Sequence, residues 1–162
     1  MTATYLSYSA DETSRPHRTP PADFWMGDLP VVSSGLDVSF DWAGGGVVTT
    51  VTDLSRFLRG LQHASVFRRS STRDEMLACV PTPSSSGRLV GYGLGIRCVE
   101  TSYGPMWGHT GAWGAAMFLF PRSDVAITGT VNGVFVSGPM QAQVMDAMAA
   151  LESAGLLGTV SP

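Results

Sequence analysis

The chain has 162 residues, of which 44% are hydrophobic and 14% charged; this is enough apolar material for one globular domain with a packed core and is not the composition of a disordered chain. Its formal charge of −3, with no basic cluster beyond Arg68-Arg69, gives no electrostatic footprint for nucleic acid or an anionic membrane, and no apolar run reaches the ~18 residues that span a bilayer. All ten basic residues are arginine, so chemistry that needs a lysine amine is excluded within these residues.

Residues 1–41 contain Pro16, Pro20, Pro21 and Pro30 and keep no helical or strand period, which predicts a long irregular segment. Tyr5, Tyr8, Phe24 and Trp25 give it apolar surface with which to pack on the rest of the domain. His17, between Pro16 and Arg18, reads as an exposed loop residue. The opening residues lack the charged-then-apolar layout of a signal peptide, so the chain as it stands is expected to carry no export signal of its own.

Ala43-Gly44-Gly45-Gly46 next permits a tight turn. It lacks both the lysine of a phosphate loop and the glycine spacing of a dinucleotide site, so phosphate binding is not expected. Thr50 with Asp53 three residues later is a capping signal for a helix whose buried stripe is Leu54, Phe57, Leu58 and Leu61. Gly60 and the polar residues after it should end that helix, with His63 just beyond. A second short helix is expected near Ser71 or Thr72, with Asp74 and Glu75 in its first turn, Met76 and Leu77 as buried contacts, and Pro81 and Pro83 as its stop. Ser84-Ser85-Ser86-Gly87 reads as a solvated loop.

From Tyr92 the period becomes that of a strand, with Tyr92, Leu94, Ile96 and Cys98 on one side. A turn at Ser102 to Pro105 follows, and then strands over Trp107 to Gly111, Trp113 to Phe120 and Val125 to Val131, an antiparallel meander. Both faces of Ala115 to Phe120 are apolar, which requires cover above and below. After Pro139, Val144, Met145, Met148 and Leu151 form a helix stripe stopped by Gly155 that supplies one cover, its methionines acting as core filler. The class is therefore α+β, an antiparallel sheet flanked by helices. Cys79 and Cys98 lack C-x-x-C spacing and read as buried free thiols, and no metal or cofactor is called for.

Chemistry concentrates in Trp107 to Gly114, where a histidine, a hydroxyl and glycines meet between apolar segments. Ala43-Gly44-Gly45-Gly46-Val47-Val48-Thr49-Thr50 with Asp53 and Phe57, then Tyr92-Gly93-Leu94-Gly95, then Gly108-His109-Thr110-Gly111 follow one another in an order that resembles the C-terminal half of the serine β-lactamase, D,D-peptidase and esterase family. The likeness continues through Gly114, Phe120-Pro121 and Val131-Asn132, and so covers roughly residues 42–135. The resemblance implies the C-terminal portion of the β-lactamase/transpeptidase-like fold. It also implies that Thr110 hydrogen-bonds a substrate carboxylate or carbonyl, that His109 stabilises or orients charge beside a nucleophile, and that Gly111 leaves the Ala112 N–H approachable as half of an oxyanion hole.

The family's S-x-x-K and Y-x-N or S-x-N elements are absent from these residues, as is the alternative G-x-S-x-G, and a serine hydroxyl without a positioned base is a weak nucleophile. Met1-Thr2-Ala3-Thr4-Tyr5 resembles a mid-chain family segment. The expectation is thus one incomplete domain, with residues 1–41 packing on a C-terminal part at 42–162, inactive alone, its small-molecule amide or ester substrate bound only when an N-terminal half completes the site. The alternative is a non-catalytic binding module that keeps the His-Thr-Gly wall.

Overall fold

The computed structural model describes residues 1–6, 21–36, 42–82, 90–134 and 137–157. In chain order, strand β1 is Tyr5–Leu6, and β2 (Trp25–Met26) and β3 (Leu29–Pro30) form a small hairpin. A single helical turn α1 (Trp42–Gly45) leads to β4 (Val47–Val48) and the helices α2 (Val51–Gln62) and α3 (Ser70–Leu77). Six strands follow: β5 (Val80–Thr82), β6 (Val90–Tyr92), β7 (Arg97–Thr101), β8 (Gly104–Thr110), β9 (Ala115–Phe120) and β10 (Val125–Thr130), with helix α4 (Ser137–Ser153) after them. These six make one antiparallel sheet in the order β10-β9-β8-β7-β6-β5, a meander in which every neighbour in space is a neighbour in sequence.

The two-sided apolar pattern of β9 has the predicted consequence. Phe118, Leu119 and Phe120 are all fully buried, and because successive strand side chains point to opposite faces the sheet must be covered on both. On one face α4 brings Met140, Val144 and Met148 against Val99, Met106, Ala116, Phe118 and Phe120. On the other, α2 lies along β9 and β10 with Leu58 and Leu61 buried. Each such side chain contributes ~1.5–3 kcal/mol relative to exposure, so this sandwich dominates stability. Among the described residues no helix is long and apolar enough to cross a membrane.

Three local expectations are corrected. The stretch from Tyr92 to Cys98 is not one strand: the Gly93 N–H donates to the Ile96 carbonyl at 2.8 Å, Gly95 takes φ +72°, and a tight turn separates β6 from β7. Leu94 is consequently exposed at the turn while Ile96 is buried. Helix α2 ends at Gln62 with His63 as its C-cap, as expected, and a Cβ on Gly60 would lie 2.9 Å from Val66 Cγ1, so the glycine makes room for the chain folding back. Helix α3 buries no side chain, and Met76 and Leu77 are only half-buried. Pro81 lies within edge strand β5, where its missing N–H need not serve a ladder.

The third correction concerns the cysteines, which are joined as a Cys79–Cys98 disulfide and are not free thiols. Their Cα atoms are 6.3 Å apart although β5 and β7 are not neighbours, because the bridge passes over β6 at its glycines. Gly91 is paired with Cys98, and a Cβ on it would lie 2.9 Å from Cys79 Cβ. A Cβ on Gly93 would lie 3.3 Å from Cys79 Sγ and would also collide with the Met76 carbonyl oxygen. The bare face of β6 is thus the space the disulfide occupies.

The bridge closes a loop of sequence separation 19, for which removal costs ~3 kcal/mol. The denatured chain should therefore show no free thiol before reduction, and a Cys79→Ser/Cys98→Ser double variant should lose about that much stability in urea titration. Two titratable thiols in the unreduced chain would contradict the assignment.

Candidate active site

The cleft begins with a capped helix. The Thr50 hydroxyl accepts the Asp53 N–H at 3.2 Å, the N-cap contact expected from the sequence. The Asp53 carboxylate, buried at 1% exposure, then reaches across the chain. It accepts the Ala3 N–H at 2.8 Å, the Thr4 hydroxyl at 3.0 Å and the Arg56 guanidinium at 3.0 Å. Thr4 and Thr49 share a hydroxyl contact at 2.7 Å, and β1 pairs with β4 through Tyr5 opposite Val48. One carboxylate thereby fixes the first residues beside the Gly44–Thr50 segment as one side of a cleft.

The opposite side is the end of β8 and the turn after it. The Gly111 N–H donates to the Ala115 carbonyl at 2.8 Å and the Gly114 N–H to the Gly111 carbonyl at 3.1 Å, closing a tight turn between β8 and β9. Gly114 takes φ +80°, and a Cβ there would lie 2.5 Å from the Gly133 carbonyl oxygen, so only glycine lets the turn lie on residues 131–133. Those residues are held in turn by the Trp25 N–H donating to the Asn132 carbonyl at 2.8 Å and the Val134 N–H donating to the Trp25 carbonyl at 3.0 Å. Phe24 meets Trp113 edge to face, with ring centroids 4.8 Å apart. Asp23 accepts the N–H groups of Phe24, Val32 and Ser33 at 3.1, 2.8 and 3.2 Å, which shapes the loop that presents Phe24.

Between these sides is an open cleft of about 800 Å³. The structure brings His109, Thr110, Gly111 and Ala112 together on one wall of it, facing Ala3, Thr4, Gly44, Gly45, Thr49 and Thr50, with Phe24 and Trp113 at one end. Among the described residues that line it, none is an arginine, aspartate or glutamate. Thr110 is only 7% exposed, and among the described residues neither its hydroxyl nor the Ala112 N–H has a hydrogen-bond partner. A hydroxyl and a backbone donor left open on the cleft wall suit the recognition of an acyl oxygen.

Two residues of the site are not legible from motif spacing alone. Tyr92 Oη lies 2.7 Å from His109 Nε2, and His109 Nδ1 lies 2.6 Å from the Thr110 carbonyl oxygen. Asp53 was visible as a cap but not as the anchor of Ala3 and Thr4. His63 is the exposed C-cap of α2, away from the cleft, while Tyr8, His17 and Ser84 to Gly87 lie outside the described residues. Among the described residues no group of His, Cys, Asp or Glu is placed to hold a metal ion.

Comparison with known proteins agrees with this architecture. A family model described as Beta-lactamase matches residues 1–150. A D-stereospecific amidohydrolase from Streptomyces sp. of known crystal structure superposes with a TM-score of 0.67 at 24% identity, over 90% of this chain and 43% of its own. At that identity the likeness shows a shared fold, and this chain spans less than half the length of that enzyme. Among curated proteins none matches. The chain belongs to the beta-lactamase family, a group of serine hydrolases, and has a partial beta-lactamase-like fold.

The Ala3 N–H, with the Thr4 hydroxyl and the Arg56 guanidinium, holds the Asp53 carboxyl below the ordinary aspartate value of 3.8 against the opposing effect of burial. The native state therefore favours the carboxylate: this stability is complete above the unfolded value and is lost as pH falls through the lower folded one. Melting temperature should drop on acidification below about pH 4. Asp53→Asn should melt lower than the parent at neutral pH and show a weaker acid dependence; equal melting of the two at neutral pH would contradict the role assigned to the carboxylate.

Proposed function

We propose that this member of the beta-lactamase family supplies the acyl-binding wall of a serine hydrolase site acting on uncharged amide or ester carbonyls. In this reading Thr110 and the Ala112 N–H hydrogen-bond the acyl oxygen, Gly111 lets that oxygen approach, and Phe24 and Trp113 flank an apolar substituent. The observation that carries the reading is the open hydroxyl and amide of Thr110 and Ala112 on a cleft wall whose described residues include no arginine, aspartate or glutamate. A backbone donor at such a position is worth ~3 kcal/mol of barrier in acyl transfer when nucleophile and base are in place.

The reaction itself requires a serine oxygen to attack the acyl carbon while a base takes its proton, followed by loss of the amine or alcohol and hydrolysis of the ester so formed. No Ser-x-x-Lys or Tyr-x-Asn occurs in the 162 residues, so in this reading the nucleophile and base come from a complementary segment and the 162-residue polypeptide is inactive by itself. The D-stereospecific amidohydrolase makes amides the first substrate class to try with such a complemented site. Incubated with a fluorophosphonate or an acylating β-lactam, the 162-residue polypeptide should remain unlabelled. Stoichiometric acylation of one of its serines would contradict the proposal.

A second reading, a non-catalytic binding module, is favoured by one feature: residues of this chain line both sides of the cleft. It differs in requiring that the polypeptide bind a small neutral amide unaided. A cooperative melt that shifts upward with such a ligand, and a binding constant weakened about tenfold by Thr110→Val, would favour it. An unchanged melt at millimolar ligand would exclude it.

A further inference from the structure

The two ring nitrogens of His109 fix what this residue can offer the cleft. Nδ1 is 2.6 Å from the Thr110 carbonyl oxygen. A carbonyl oxygen can only accept, so Nδ1 carries the hydrogen in that contact. In the neutral ring Nε2 is then bare, and the Tyr92 hydroxyl 2.7 Å away is the donor to it. The two rings meet edge to face, with centroids 5.7 Å apart and an interplanar angle of 86°, so Tyr92 constrains the plane of the imidazole as well as its proton. Neither nitrogen is left for a molecule in the cleft.

Tyr92 is itself held. It is flanked by Gly91 and Gly93, whose bare faces accommodate the Cys79–Cys98 bridge. Successive strand side chains alternate, so the phenol leaves β6 on the side opposite the disulfide. Backbone hydrogen bonds clamp the next two residues, from the Gly93 N–H to the Ile96 carbonyl at 2.8 Å and from the Leu94 N–H to the Met76 carbonyl at 3.0 Å. Although Tyr92 is 38% exposed, its backbone has little freedom to move the hydroxyl away.

We infer that Tyr92 is a positioning residue that locks the neutral His109 ring as the Nδ1–H tautomer, so that His109 serves the cleft by pinning the backbone that presents Thr110 and Ala112, and not as a proton acceptor beside the nucleophile. The inference rests on reading the cleft as an acyl-binding wall and revises the role the family resemblance implies for His109. The path is short: Nδ1–H fixes the Thr110 carbonyl, and the peptide it belongs to lies between the Thr110 hydroxyl and the Ala112 amide that face the cleft.

The sequence has three histidines, His17, His63 and His109, so the imidazole nitrogens can be read directly. In the 15N-labelled 162-residue chain in mildly alkaline buffer, long-range proton–nitrogen spectra assigned with His109→Gln should show a protonated Nδ1 and a bare Nε2 for His109. Tyr92→Phe should move both nitrogen shifts toward those of the exposed His63 ring. A His109 ring protonated mainly on Nε2, or nitrogen shifts unmoved by Tyr92→Phe, would overturn the inference. The tautomer is read first in the unaltered chain, so the test stands even if the variant fails to fold. Serine acylation of the chain together with the expected tautomer would sink the functional reading alone, whereas an Nε2–H ring in an unlabelled chain would sink this inference alone.

Discussion

The Asp53 carboxylate ties together parts of the chain that local structure alone would leave apart. Its own N–H is capped by Thr50, which places it in the first turn of α2, and its oxygens hold Ala3 and Thr4 some fifty positions earlier. A buried carboxylate is costly unless every lone pair is used, and here a backbone amide, a hydroxyl and a guanidinium use them. The consequence extends beyond stability. That tether, together with the Thr4–Thr49 hydroxyl contact and the two-residue pairing of β1 with β4, keeps the first residues along the cleft that His109 to Ala112 line.

The other wall depends on glycine in a comparable way. Gly114 allows the turn after β8 to touch residues 131–133, and Gly91 and Gly93 leave the space in which Cys79 meets Cys98. Side chains at these points would separate the turn from its support and β6 from its bridge. The two devices converge on the same strand end, since the braced β6 carries Tyr92, Tyr92 engages His109, and His109 engages the Thr110 carbonyl. Rigid support of this kind is what the proposed acyl-binding wall needs, because a hydrogen-bond donor displaced by an ångström loses most of its value.

How much of this could be read from the sequence follows from the range of each interaction. Helix α2, the strands β8 to β10 and helix α4 were legible because their burial repeats with the period of the element, as Leu58 and Leu61 or Phe118 and Phe120 show. The break between β6 and β7 was not, since alternation continues unbroken from Tyr92 to Cys98 and only the left-handed Gly95 interrupts it. The disulfide was missed because its feasibility depends on the register that puts Gly91 between the two cysteines, and register is not a local property. His109, Thr110, Gly111 and Ala112 stood out as a motif, but the partner of His109 lies two strands away, and the partners of Asp53 lie at the start of the chain.

The sheet also bears on how the wall would be completed. Strand β10 is paired with β9, and among the described residues no strand pairs with its outer edge. The chain spans 43% of the amidohydrolase it resembles in fold. The most direct measurement of the central claim is hydrolysis of a neutral p-nitrophenyl ester by the 162-residue chain, alone and mixed with the Ser-x-x-Lys-bearing N-terminal segment of a beta-lactamase family member. The account predicts no turnover by either component and turnover by the mixture. Equal hydrolysis by the 162-residue chain with and without its complement, or a stable mixed complex that hydrolyses nothing, would contradict it.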